Sequence, residues 1–182
     1  MQLVPRKPRL PSKKYQAGIG MVEIGLGLVI ATIITVGVVN YFSTNSTTAQ
    51  ANQLGSDLSM LMGKVKGAYS GQYANVNNPR LNTGGFFSKL TSLTNNAGVV
   101  TTSLGGGTLT VGPGTVTAAG DSVMYTLTQL PDDACLPLVT SLAKTATTMT
   151  VGANQVKVAG GRPDPSLVTC AGDNTSIVVQ VQ

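Results

Sequence analysis

Glu23 is the only charged side chain between Tyr15 and Ser56, a run of 42 residues, and it lies in the most apolar part of the chain. A carboxylate inside a membrane segment costs roughly 2.5–3.5 kcal/mol on insertion scales, so its presence there calls for a partner or a cavity that receives it. The other groups with chemical potential are fewer than in most enzymes. There is no His, so the usual general base is missing. The seven acids are too scattered for a paired-carboxylate site. Asp132 and Asp133 are adjacent, but the helical spacing after them fits two acids at a helix N-terminus. Gly105-Gly106-Gly107 lacks the strand, Lys and helix of a phosphate cradle and is expected to be a loop. Cys135 and Cys170 are too far apart in sequence for a zinc knuckle and have no His to join them. No enzyme, cofactor or metal is expected.

Charge and composition narrow the class further. The chain has 182 residues and a formal charge of +5, with 10% charged residues and no Trp. Five of the twelve basic residues, Arg6, Lys7, Arg9, Lys13 and Lys14, fall in the first fourteen positions. After Gly18, seven basic residues face seven acidic ones. The excess charge that a nucleic-acid stripe needs is therefore absent beyond the N-terminal segment, and no nucleic-acid partner is expected. Lys and Arg beside a membrane segment stay on the cytoplasmic side, so the C-terminal part should be exported. The Gly, Ser, Thr and Asn content of the second half fits an exported β-rich domain. On that side the two cysteines pair in most proteins, and a loop of this length stabilises by about 3–4 kcal/mol in the chain-entropy model. Two free buried thiols are the alternative.

The elements that would position these groups follow from periodicity. Residues 19 to about 73 fit one long helix without Pro. It is apolar nearly all round to Val39, then amphipathic, with Leu54, Leu58, Leu61 and Val65 on one stripe. A second stripe, Gly55, Ser59, Gly63, Gly67 and Gly71, repeats every four residues. Each Gly costs about 1 kcal/mol in a helix interior, so the repeat points to close approach of another backbone, from the domain's own sheet or a neighbouring helix. A partly frayed helix end is the alternative. Residues 71–107 are rich in turn signals, with Phe86, Phe87, Leu90 and Leu93 spaced for a short helix docking that segment, either as a subunit contact or as a satellite core. Short β-branched strands are expected at 108–111, 115–117, 123–130, 148–151, 155–158, 167–170 and 177–181, with a hairpin turn at 151–155. Residues 131–139 switch to helical spacing, with Asp132 or Asp133 as cap and Pro137 in or near the first turn.

The N-terminal arrangement of basic segment, Gln16-Ala17-Gly18-Ile19-Gly20-Met21-Val22-Glu23 and uncharged run 24–42 resembles the class 3 signal of type IV prepilins. The resemblance implies cleavage after Gly18 by a prepilin peptidase, methylation of Ile19, and Glu23 as the fifth residue of the mature chain. Ile19 in place of the family's common Phe points to the type IVb branch. Gly20, Gly25 and Gly27 depart from the usual pattern, and Gly20-Met21 offers a second glycine bond that does not give the fifth-residue register. Further along, a helix bearing Cys135, then strands and Cys170, looks like the disulfide-bounded D-region of type IVb pilins, and residues 74–107 like their αβ-loop.

The implied organisation is an α+β pilin fold. Residues 1–18 form the leader, 19–44 the membrane or filament-core half of the helix, and 45–182 the globular domain with a D-region at 135–170. The implied function is a structural pilus subunit that sits in the inner membrane as a prepilin, then polymerises through its helix with the assembly machinery into an extracellular filament. That filament would serve adhesion, aggregation or conjugative contact. Glu23 would pair with the Ile19 amine of a neighbour, whereas a Glu23 near Lys14 at the cytoplasmic interface is the plainer arrangement. A type II secretion pseudopilin or minor pilin shares this N-terminus. A secreted binding protein cut at Ala49-Gln50-Ala51 is a further alternative.

Overall fold

The computed structural model describes residues 20–182. Helix α1 runs from Met21 to Ala68. Its polar residues are satisfied by the helix itself. Thr32 and Thr35 donate their hydroxyls to the carbonyls of Leu28 and Ala31 at 2.8 and 2.7 Å, which lets them sit in an apolar run without unpaired groups. Packing divides the chain after Asn40, with a second unit from Tyr41 onward.

In that second unit α1 buries Ala51, Leu54, Leu58, Leu61, Met62 and Val65, the expected stripe widened by two residues. The helix stops five residues short of the expected end. Gly71 adopts φ +76°, a left-handed conformation open to Gly at little cost, and the chain turns there. A 3-10 turn over Tyr73–Asn75 then brings Tyr73 and Val76 into the core.

The segment 74–107 holds more regular structure than its composition suggests. Helix α2, Asn78–Thr83, starts where Asn77 Oδ1 accepts the Arg80 N–H at 2.9 Å and Pro79 fills the first turn. Phe86, Phe87, Leu90 and Leu93 do not form the expected helix. Gly85 at φ +70° turns the chain, Phe87 and Leu90 are buried from a turn, and Leu93 opens a strand. Strands β1 (Leu93–Asn96) and β2 (Val99–Thr102) make a hairpin.

Strands β3 (Thr108–Thr115) and β4 (Ala119–Leu130) follow, then helix α3 (Asp132–Leu142), β5 (Thr148–Val151), β6 (Asn154–Lys157) and β7 (Thr175–Val181). The seven strands form one sheet in the order β1-β2-β3-β4-β7-β5-β6, every pair antiparallel. The C-terminal strand thus fills the slot between β4 and β5. In register, Val123 faces Val181, Tyr125 faces Val179 and Leu127 faces Ile177, and all six are buried. This period-two burial makes β4 and β7 the centre of the core.

Two expectations fail near the cysteines. Residues 167–170 are not a strand; Pro163 and Pro165 cannot donate to a ladder, and a 3-10 turn at Pro165–Leu167 forms instead, with Asp164 Oδ1 accepting the Ser166 N–H at 2.9 Å. Helix α3 is capped by neither aspartate. Pro131 is its N-cap residue without a side-chain bond, Asp132 and Asp133 lie in the first turn, and Pro137 lies inside the helix. The acids there still complement the helix dipole.

Candidate functional site

Glu23 stands in the first turn of α1, where its Oε2 accepts the Gly20 N–H at 3.2 Å. Reaching back to the N-cap amide satisfies one of the helix's orphan donors, as in half of a capping box. That amide is its only side-chain partner among the described residues. Gly18 and Ile19 lie outside the described residues. The helix behind Glu23 exposes its apolar side chains on every side, Leu26, Ile30, Ile34 and Val38 among them. By length and composition it is apolar enough to cross a membrane.

The glycine stripe divides into three cases. A Cβ on Gly55 would lie 2.7 Å from Ser141 Oγ and 3.0 Å from Ser141 Cβ, so α1 and α3 cross closely only because Gly stands there. Gly63 and Gly67 meet nothing within 4 Å. Gly71 is beyond the helix, so its place in the packing stripe is withdrawn and its glycine serves the turn.

Cys135, buried in α3, is bonded to Cys170, with Cα atoms 5.8 Å apart. The bridge ties α3 to the segment leading into β7. Lys157 adds a second tie, its Nζ donating to the Ala143 and Ala146 carbonyls at 2.8 and 2.6 Å just past the end of α3. Lysine at that position meets the negative end of the helix dipole.

Asp57 is the residue that sequence reasoning missed. It is buried on α1 and accepts from Ser92 N–H at 3.0 Å, Ser92 Oγ at 2.6 Å and Gln53 Nε2 at 3.1 Å. Burial pushes its pKa up, but the Ser92 and Gln53 donors outweigh it and leave the carboxyl below its ordinary value. An acid within one residue of Leu58 on the buried stripe was the available signal; its partner lies 35 positions away. Asp121 serves a turn, accepting from the amides of Val116, Thr117 and Ala118 and from the Thr117 hydroxyl, which together hold its pKa far below the usual range. These acids are occupied by structural bonds. Among the described residues no three His, Cys, Asp or Glu side chains are grouped to hold a metal.

Comparison with known proteins gives a consistent picture. The major structural subunits of bundle-forming pilus from Escherichia coli O127:H6 (strain E2348/69 / EPEC) and O111:H- are each 29% identical over 135 residues, covering 72% of this chain and 68% of the relative. Among solved structures, a type IVb pilin from Salmonella typhi aligns with TM-score 0.47 at 16% identity, over 74% of this chain and 97% of that one. TcpA, a type IV pilin from Vibrio cholerae El Tor biotype, aligns with TM-score 0.48 at 13% identity, over 75% and 99%. The family model described as PilS N terminal matches residues 43–181. With well over half of its length matched, this chain belongs to the PilS N-terminal family, a family of pilin domains.

Proposed function

We propose that this chain is the structural subunit of a type IVb-like pilus, made as a prepilin in the inner membrane with its N-terminus cytoplasmic. A prepilin peptidase cuts between Gly18 and Ile19, the new amine is methylated, and the assembly machinery stacks the subunits through α1 into an extracellular filament. Residues 1–18 are the leader, 19–44 the filament-core segment and 45–182 the exported domain, with the αβ-loop near 74–107 and the D-region at 135–170. The protein acts by assembling, not by catalysis.

The observation that carries this reading is an apolar helix exposed on all sides with one carboxylate in its first turn. Such a surface is stable in only two settings, lipid and a bundle of like helices. In the bundle, Glu23 meets the Ile19 amine of a neighbour. A lone buried charge is penalised heavily, whereas a matched pair offsets desolvation and sets the stagger between helices. Gly63 and Gly67, open in the protomer, leave a face where a neighbouring backbone can approach. The pilus subunits among the relatives support the assignment.

Intact mass spectrometry of filament protein tests it. A chain beginning at methylated Ile19 is expected. A start at Met21 moves the cut, and a start at Asn52 replaces the pilus reading with a secreted protein.

A further inference from the structure

Two features at opposite edges of the sheet have no partner within the protomer. At the β6 edge, α3, β6 and the segment after it enclose a groove of about 350 Å³ walled by Leu136, Val139, Val156, Pro163, Pro165 and Val168. Leu136 is 54% exposed there. At the β1 edge, the hairpin turns through Ala97 at φ 52° and Gly98 at φ 92°. Left-handed backbone costs an alanine about 1–2 kcal/mol, and Asn or Gly is preferred at that position. The turn rests on α2: a Cβ on Gly98 would lie 3.3 Å from Pro79 Cγ. Val99, next in line, is 63% exposed. The hairpin thus presents an apolar tip on a backed, strained turn.

Charge distinguishes the two edges as well. Residues 71–107 carry Arg80 and Lys89 and no acid, and Arg80 adjoins the Pro79 that backs the tip. At the groove, Asp132 and Asp133 stand exposed one turn before Leu136. Lys144 lines the opposite end of the groove, Arg162 adjoins Pro163, and Lys157 is held by the Ala143 and Ala146 carbonyls. Asp164 is held by Ser166. An incoming cation therefore prefers the end of α3 that bears Asp132 and Asp133, which gives the contact a direction.

We propose that the hairpin tip, residues 97–99, of one protomer seats in the groove between α3 and β6 of the next copy, with Arg80 facing Asp132 and Asp133. The contact uses a different patch on each partner, and the two patches lie at opposite edges of one sheet, so it does not close on itself in a pair. It repeats from copy to copy, as an open polymer requires. It rests on the pilus reading and adds a directional contact between exported domains to the packing of the helices.

Cysteine pairing in assembled filaments of the full chain tests the contact, using Val99→Cys with Thr140→Cys, both at exposed positions and Thr140 on the groove wall. Oxidation is expected to give a ladder of dimers, trimers and longer species on a non-reducing gel, collapsing to monomer with reductant, and no ladder from either single variant. Normal filaments that yield only monomer overturn the contact, as does a dimer without higher species, which marks a closed pair. If the wild-type chain forms no filament, the pilus reading fails first and the contact with it. Independently, Arg80→Asp is expected to lower filament yield roughly tenfold, and Asp132→Arg with Asp133→Arg to restore it. Failure of that restoration overturns the assigned pairing.

Discussion

The two halves of α1 are built for different solvents. Residues 21–39 expose every side chain, and the helix there satisfies its own hydroxyls and its first amide. Residues 51–65 put six apolar side chains on one face into the core and carry the acid Asp57 among them. Each half holds one carboxylate in an apolar setting. Asp57 is answered within the fold by Ser92 and Gln53, whereas Glu23 has only the Gly20 amide. The difference teaches where completion comes from. One half is finished by its own chain, and the other awaits a second molecule.

The largest effect is therefore expected at Glu23. Glu23→Ala should leave membrane insertion and leader removal intact while reducing filaments by well over tenfold, because a neighbour's amine is left unpaired in a low-dielectric site. Electron microscopy together with a cleavage assay checks this. Normal filaments from the variant would erase the distinction between the two carboxylates. Opening the bridge comes next. Cys135→Ser should destabilise the exported domain by about 3–4 kcal/mol without changing leader cleavage, so subunits are lost through degradation. Thiol labelling and subunit abundance measure it.

Much of this contrast was visible in the residues. The lone Glu23, the stripe through Leu54, Leu58, Leu61 and Val65, and the alternation of Val123, Tyr125 and Leu127 are local patterns that periodicity reports directly. What escaped detection is non-local. Nothing in residues 175–181 says that they pair between β4 and β5, since strand order follows from long-range packing. The apolar residues near 167 resembled a strand, but the flanking prolines turned them into the wall of a groove. Gln129, left-handed at φ 53° in the bulge of β4, gave no sequence signal at all, since Asn or Gly is the usual choice there.

Asp57 provides a pH test of the same comparison. Its folded pKa lies below the ordinary value of 3.8, so its contribution is complete above the unfolded pKa and disappears as pH falls through the folded one. Stability should hold from neutral pH to about 4 and decline below that. Asp57→Asn places an amide donor against the Ser92 amide; it should lose about 1–3 kcal/mol at pH 7 and show a shallower acid decline. Thermal unfolding of the full chain in detergent across pH measures the difference between the two proteins. Matching acid slopes would mean that Asp57 is not the group responsible.

The smallest effect sharpens the comparison most, because it should move two readouts in opposite directions. Gly55 and Gly63 lie on the same face of α1, two turns apart, yet only Gly55 is pressed against Ser141. Gly55→Ala forces α3 outward and should destabilise the domain by about 1–3 kcal/mol. Gly63→Ala meets nothing in the protomer and removes a helix penalty, so it should stabilise by about 1 kcal/mol, or about 3 °C in Tm. If Gly63 is free because a neighbouring backbone approaches there in the filament, the more stable subunit should assemble less well. A methyl group at the point of closest approach pushes two helices apart along their length. Unchanged filament yield from Gly63→Ala would take this face out of assembly and leave Gly55 as the only glycine of the stripe whose absent side chain the fold requires.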